Sequence, residues 1–272
     1  GVIVLQVLAL GMERFTQTIA DALLACEKPD CLLLQNDDAI RRKEGMECFT
    51  RVLYGTLPEE NIIHENGVKL AVDVLGGQKT GYFLDQKDNH LFVRQFCKDA
   101  RVLDCFSYIG AFALNAAAAG AKEVTAVDIS EAAVQLIEKN AALNGADITA
   151  VCANCFDFLR AQVKAGEKYD VVVLDPPAFT KAHANMASAC RGYKEIALSA
   201  MRLLPAGGVL ATHSCSYHMP EEVFVNTVLS AAQDLHRQVR VITLRRQDID
   251  HPVLAGYPVS HYLKSLWLQM LD

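Results

Sequence analysis

The apolar positions change rhythm at about residue 100. From Arg101 onward, short apolar runs alternate with segments whose apolar residues recur at helical spacing. The runs predict strands over 101–105, 123–127, 148–152, 170–174 and 209–214, and the periodic segments predict helices over 111–119, 131–144, 156–164, 188–203 and 221–235. In 131–144, Ala133, Leu136, Ile137 and Leu143 fall on one side. Strands without polar alternation, each followed by a helix, predict a mostly parallel, doubly wound α/β sheet covered on both faces. Two last strands, 239–244 and 262–270, have no helix between them, which predicts an antiparallel strand inserted at one edge.

Residues 1–75 read as a small α/β domain. Val2–Leu8 is a β-branched run, Phe15, Ile19 and Leu23 mark a helix within 13–24, and Cys31–Leu34 and Phe49–Leu53 are further strands. The charged stretch from Asp37 to Glu47 is a helix start or a loop. Asn66-Gly67 between the runs 62–65 and 68–74 predicts a hairpin. No catalytic constellation falls in this domain. A glycine-rich connector, Gly76-Gly77-Gln78-Lys79-Thr80-Gly81, then opens a second domain, 76–272. It is either a plain linker leading to a strand or a segment lying over a cofactor pocket. A helix follows over 86–96.

Composition narrows the class. With 51% apolar and 21% charged residues, a 272-residue chain buries a substantial core. No apolar run reaches the roughly 18 residues of a membrane span, and no signal peptide opens the chain. The start at Gly1, without Met and directly before an apolar run, predicts a piece of a longer protein or a tag remnant. Nine scattered cysteines, an odd number, fit reduced thiols in the cytoplasm better than a disulfide framework. A net charge of −6 argues against a broadly basic nucleic-acid face. Local clusters remain: Arg41-Arg42-Lys43, Arg191 with Lys194, Arg237 with Arg240, and Arg245-Arg246. Each is either an RNA contact or a solvated surface.

In an open α/β sheet, ligands bind beyond the carboxyl ends of the strands. At those ends stand Asp104, Phe106, Ser107, Tyr108 and Gly110; Asp128; Asn154, Cys155, Phe156 and Asp157; Asp175-Pro176-Pro177-Ala178-Phe179; and Ser214-Cys215-Ser216. The turn at 106–110 has a single glycine, so it is not the three-glycine dinucleotide fingerprint. Asp128 can accept two hydrogen bonds from a ribose diol; its other reading, as a helix cap, is weakened by Ser130, which already supplies one. Asp157 either accepts from an adenine amino group or caps a helix starting at 158. A nicotinamide or flavin enzyme would use such acids too, but would not need Asp-Pro-Pro, which locks a turn leading away from the sheet. Cys215 is either a small buried hydrophobe or a nucleophile. A thiolate adding to C6 of a pyrimidine makes C5 able to attack a methyl sulfonium, after which a base removes the C5 proton. Asp175 or an ordered water could be that base. Cys105, Cys152 and Cys190 read as structural, and Cys152-x-x-Cys155 lacks the second pair that zinc needs, so no metal is expected.

Taken together these motifs carry a resemblance. Val-Leu-Asp-Cys-Phe-Ser-Tyr-Ile-Gly-Ala-Phe (102–112) resembles the first motif of class I S-adenosylmethionine (SAM) methyltransferases. With Gly-Gly-Gln-Lys-Thr-Gly-Tyr-Phe-Leu-Asp-Gln (76–86), Leu-Asp-Pro-Pro-Ala-Phe (174–179), Ala-Cys-Arg-Gly-Tyr-Lys (189–194), Ser-Cys-Ser (214–216) and Asp-His-Pro (250–252), the chain resembles the 23S ribosomal RNA large-subunit methyltransferases that make 5-methylcytosine. The resemblance spans about residues 50–272. It implies a seven-stranded Rossmann-like methyltransferase sheet, SAM as cofactor, ribosomal RNA as partner through a single-stranded or flipped-out base, and a cytoplasmic protein. It implies SAM contacts at Phe83, Asp85, Gln86, Asp104, Ser107, Gly110, Asp128, Asp157 and Asp175, and Cys215 as nucleophile. Two departures stand out. The family's N-terminal RNA-binding PUA domain is absent from this sequence, and Ala178 stands where a basic residue is frequent. Two other readings stay open: a SAM enzyme acting on another base atom, such as a guanine nitrogen, with Cys215 structural, and a non-catalytic SAM- or RNA-binding assembly factor. The strand-rich first domain is a candidate oligomer interface.

Overall fold

The structure, a computed structural model, describes residues 1–77, 79, 81–179 and 185–272. Gln78 and Thr80 of the glycine-rich connector therefore lie outside the described residues. The chain forms two compact units, residues 1–63 with 71–82, and residues 64–70 with 83–272.

The first unit holds β1 (Val2–Leu5), α1 (Leu10–Glu13), α2 (Thr16–Glu27), β2 (Cys31–Asn36), α3 (Ile40–Lys43) and β3 (Phe49–Gly55). The three strands form a sheet ordered β1-β2-β3, with β1 parallel and β3 antiparallel to β2. β1 is shorter than its apolar run because pairing with β2 ends at Leu5, and Val7 N–H turns to the Asn36 side chain at 2.8 Å. Arg41, one of the basic cluster 41–43, is buried: its guanidinium donates to both Glu13 carboxylate oxygens at 2.9 and 3.1 Å and to the Val7 carbonyl. That arginine belongs to the core of its unit, not to a surface for RNA.

The hairpin β4 (Asn61–Glu65) and β5 (Val68–Val72) has its tip in the second unit and its base in the first. Asn66 (φ 52°) and Gly67 (φ 79°) both take the left-handed conformation that a two-residue hairpin turn requires.

The second unit continues through a 3₁₀ turn (Leu84–Gln86) into α4 (Lys87–Val93), then β6 (Arg101–Cys105), α5 (Ala111–Ala118), β7 (Glu123–Asp128), α6 (Glu131–Asn144), β8 (Thr149–Cys152), α7 (Cys155–Ala165), β9 (Val171–Leu174), α8 (Met186–Leu203), β10 (Val209–Ser214), α9 (Glu221–Asp234), β11 (Val239–Arg245) and β12 (Lys264–Met270). Its seven strands are ordered β11-β12-β10-β9-β6-β7-β8. All neighbours pair in parallel except β12, which runs antiparallel to both β10 and β11. The antiparallel strand is thus one place in from the edge, which β11 occupies.

Strand alternation sorts the core into two layers. Leu103, Val172, Leu174 and Leu210 point to one face, against Tyr193 and Ile196 of α8 and Phe224 and Val228 of α9. Val102, Val171, Val173 and Ala211 point to the other, against Phe112 and Ala116 of α5 and Ile137 of α6. Both faces being covered explains why the strands read as unbroken apolar runs. It also leaves the carboxyl ends of β6, β7, β9 and β10 as the open rim of the sheet, where the polar strand-end residues collect.

Candidate functional site

The loop after β6 is the most constrained stretch of the rim. Phe106 (φ 61°), Tyr108 (φ 50°) and Gly110 (φ 87°) all lie in the left-handed region, which costs non-glycine residues of order 1 kcal/mol each. Surrounding groups impose that shape. Phe106 N–H meets Cys155 Sγ at 3.2 Å, Ser107 N–H the Val127 carbonyl at 3.1 Å, and Tyr108 N–H Asp128 Oδ2 at 2.9 Å. A Cβ at Gly110 would meet Ile137 at an ordinary contact distance of 3.4 Å, so its positive φ is what favours glycine there.

Asp104 lies beneath this loop, fully buried. One oxygen accepts from Ser107 Oγ and from Ala113 N–H at 3.1 Å, and Oδ1 has no hydrogen-bond partner among the described residues. Burial pushes its carboxyl up to about 7, with Asp128 adding repulsion against the pull of those hydrogen bonds. Asp128 ends β7 and accepts from Tyr108 N–H through one oxygen and from Ser130 N–H through the other, both at 2.9 Å. Each oxygen keeps a second lone pair. Ser130 caps α6 by accepting from Ala133 N–H, as its position predicts. Phe83 meets the Tyr108 ring edge-on at 5.4 Å.

At the end of β8 the helix cap is Asn154, whose side chain accepts from Phe156 and Asp157 N–H. This corrects the alternative of Asp157 as cap: α7 starts at Cys155, so Asp157 already lies inside the first turn. Its exposed carboxylate pairs with Arg160 at 2.5 Å, and Arg160 in turn reaches Glu195. Of the other basic clusters, Lys194 pairs with Asp234, Arg237 with Asp272, and Arg245 donates to Asn89 while lying over the Phe92 ring.

The remaining rim residues converge. Gln86 donates to Asp175 Oδ1 at 3.1 Å across 89 residues of sequence. Asp85 is buried, with Oδ2 accepting from Tyr262 Oη at 2.6 Å and Oδ1 without a partner among the described residues. Burial pushes Asp175 up to about 8, and the nearby charges of Asp85 and Asp104 push the same way. Cys215, half-buried just past β10, is pushed up to about 11 by burial and by Asp175 and Asp85, with Lys264 opposing. Tyr193 Oη and Ser214 Oγ share a hydrogen bond of 2.9 Å beside it. Phe179, at the end of the Asp-Pro-Pro-Ala-Phe segment, stands 4.7 Å from the Tyr193 ring and 5.8 Å from Phe156. Gly192 is what lets it in: a Cβ there would lie 3.1 Å from the Phe179 ring.

The site therefore unites Asp85, Gln86, Asp104, Asp175 and Cys215, holds Asp128 and Ser107 in the loop scaffold, and leaves Asp157 on an exposed ion pair. Tyr262 and Lys264 were not foreseen as site residues. The one sequence signal was a lysine opening an otherwise apolar strand. Among the described residues no cluster of metal-ligating side chains occurs.

Buried carboxylates that repel one another and leave Oδ1 of Asp85 and of Asp104 unpartnered call for a cation. SAM, which carries an ammonium and a sulfonium, fits that demand. Fold and site together define a class I SAM-dependent methyltransferase. A family model for S-adenosylmethionine-dependent methyltransferases matches residues 4–249. The ribosomal RNA large subunit methyltransferase I of Aeromonas salmonicida (strain A449) is 43% identical over 269 residues, covering 97% of this chain and 68% of that protein. The enzyme of the same name from Vibrio campbellii (strain ATCC BAA-1116) is 42% identical over 275 residues, covering 98% and 69%. The chain belongs to the ribosomal RNA large subunit methyltransferase I family. Among solved structures, a SAM-dependent methyltransferase from Streptococcus mutans superposes with a TM-score of 0.83 at 21% identity, over 98% of this chain and 69% of that one. The Methanocaldococcus jannaschii tRNA m1G37 methyltransferase does so at 0.63 and 17%, over 100% and 73%. Both show the shared fold.

Proposed function

We propose that this SAM-dependent methyltransferase acts on large-subunit ribosomal RNA and methylates C5 of a cytosine through a covalent Cys215 adduct. The activity named for the relatives supports the RNA, and a cysteine at the strand end beside Asp175 supports the atom. When bound, SAM supplies an electrophilic methyl group. The unpartnered Oδ1 atoms of Asp85 and Asp104 are suited to its cationic groups, Asp128 to its ribose, and Phe83, Gln86, Ser107 and Gly110 line the same rim. Asp157 is proposed for the adenine end, which would require it to leave Arg160.

The Cys215 thiolate adds to C6 of the base, which makes C5 nucleophilic. After C5 gains the methyl group, Asp175 takes the C5 proton and the thiolate is expelled, restoring the aromatic ring. Asp175 is protonated near neutrality in the cofactor-free chain, so it becomes a base once a cation beside it draws its pKa down. The accessible bases are single-stranded or flipped out, since C5 and C6 of a stacked base are shielded from a protein thiol. The same reading places the protein in the cytoplasm, where its nine unbridged cysteines stay reduced.

A second reading has one observation in its favour. A thiol pushed up to about 11 is a poor nucleophile, as it would be were Cys215 structural and the target another base atom, such as a guanine nitrogen. Cys215→Ala separates the two. Loss of methyl transfer to ribosomal RNA by at least about a thousandfold, with SAM binding kept, supports the adduct; retained transfer removes it.

A further inference from the structure

Strand pairing gives Cys215 a neighbour that sequence distance hides. β12 runs antiparallel to β10, and the register sets Lys264 opposite Ser214, the residue before Cys215. Lys264 is 2% exposed. Its ammonium donates to the Ser216 carbonyl at 2.6 Å and to the Tyr262 carbonyl at 2.8 Å. Both acceptors are neutral, and an ammonium has a third donor. Among the described residues the acidic groups that act on it are Cys215 and Glu221; Glu221 lies 3.5 Å from His261, an imidazole that burial disfavours protonating. Among the described residues its hydrogen bonds go to neutral carbonyls, and a buried ammonium so held is costly unless a counter-ion completes it.

The thiol has the converse problem. Asp175 from the loop after β9 and Asp85 from the 84–86 turn oppose its ionisation, Tyr193 of α8 and Tyr262 lie near, and among the described residues Lys264 is the cation that favours it. We infer that Lys264 is a positioning residue for Cys215, held by the Ser216 and Tyr262 carbonyls so that its ammonium is the counter-ion of the attacking thiolate. The inference rests on the reading of Cys215 as nucleophile. In chemical terms, the thiol gives its proton to solvent, and the ammonium balances the charge of the thiolate that is left. The sulfur electron pair then forms the bond to C6, and the ammonium remains to receive the thiolate when that bond breaks. Burial brings the lysine down to about 8, which still leaves it an ammonium at neutral pH. The same Tyr262 that offers its carbonyl to Lys264 offers its hydroxyl to Asp85, so one segment ties the thiol's cation to the cofactor's carboxylate.

The test is the pH dependence of Cys215 alkylation by iodoacetamide in the full chain saturated with SAM. It is read by mass spectrometry of the tryptic peptide 203–237, which holds Cys215 as its one cysteine. Lys264→Met is expected to move the midpoint up by about one unit, slowing alkylation near pH 8 about tenfold, with Lys264→Arg close to wild type. An unchanged profile in Lys264→Met overturns the inference. Should Lys264→Met fail to fold, the reciprocal measurement needs no lysine variant. The Lys264 titration, followed by NMR with ¹³C-labelled lysine, should fall in Cys215→Ser relative to wild type, because linkage is mutual. An unmoved lysine overturns the pair. These titrations and the Cys215→Ala assay fail separately. Coupled titrations with retained methyl transfer discard the nucleophile and with it the lysine's role. Lost transfer with uncoupled titrations keeps the nucleophile and discards Lys264.

Discussion

Asp104 is the residue on which the cofactor assignment bears most heavily. Its carboxyl is held up to about 7 in the folded chain against an ordinary value of 3.8. A folded value above the unfolded one means that the folded state keeps its proton longer. The associated stability is present below about pH 4 and is lost as pH rises through 7. Asp104→Asn removes that dependence. In thermal scans without SAM, the variant's melting temperature should gain on wild type by roughly a few degrees between pH 4 and pH 8. With SAM the order reverses: wild type is stabilised and the variant is not, because the amide cannot answer a cation. A variant that SAM stabilises as well as wild type would remove Asp104 from the cofactor site. Asp104 and Asp128 were legible because each ends an apolar run, and the end of a run is visible in the sequence itself. Tyr262 and Lys264 were not, because what they touch is far along the chain: Tyr262 meets Asp85 177 positions away.

At the scale of elements, caps decided how closely a boundary could be read. α6 begins after Ser130 and ends at Gly145 in the left-handed conformation, signals written in single residues. α7 starts one residue earlier than expected because Asn154 caps it, and runs one residue longer, to Ala165, where Gly166 turns into the left-handed conformation. The last strand starts at Lys264 rather than Tyr262 because the Tyr262 hydroxyl and carbonyl are committed to Asp85 and Lys264. The packing of α8 against the Asp-Pro-Pro-Ala-Phe segment makes a prediction at this scale. Gly192→Ala gains about 1 kcal/mol of helix propensity, and crowding Phe179 costs about 1–3 kcal/mol. Global stability should change little while methyl transfer falls several-fold, since the Phe179 ring is confined by Phe156 and Tyr193 and moves as part of that cluster. Undiminished turnover in Gly192→Ala, assayed beside its melting temperature, would show that the ring's position is not needed.

At the scale of the molecule, the sheet was legible in the sequence. Unbroken apolar strands announce a sheet buried on both faces, and the missing helix between the last two strands announces the antiparallel insertion. Residues 64–70, which precede the glycine-rich connector, nevertheless join the second unit, and 71–82 the first. The basic clusters mark a limit: Arg41, Lys194, Arg237 and Arg245 have internal partners that no linear reading supplies. The central claim concerns the whole protein and its product. The most direct measurement incubates the chain with ribosomal RNA lacking its native methylation and with methyl-labelled SAM, digests the RNA to nucleosides and identifies the label by mass spectrometry. The account predicts labelled 5-methylcytidine, absent with Cys215→Ala. Label on a guanosine nitrogen, or on 5-methylcytidine made equally well without Cys215, would contradict it.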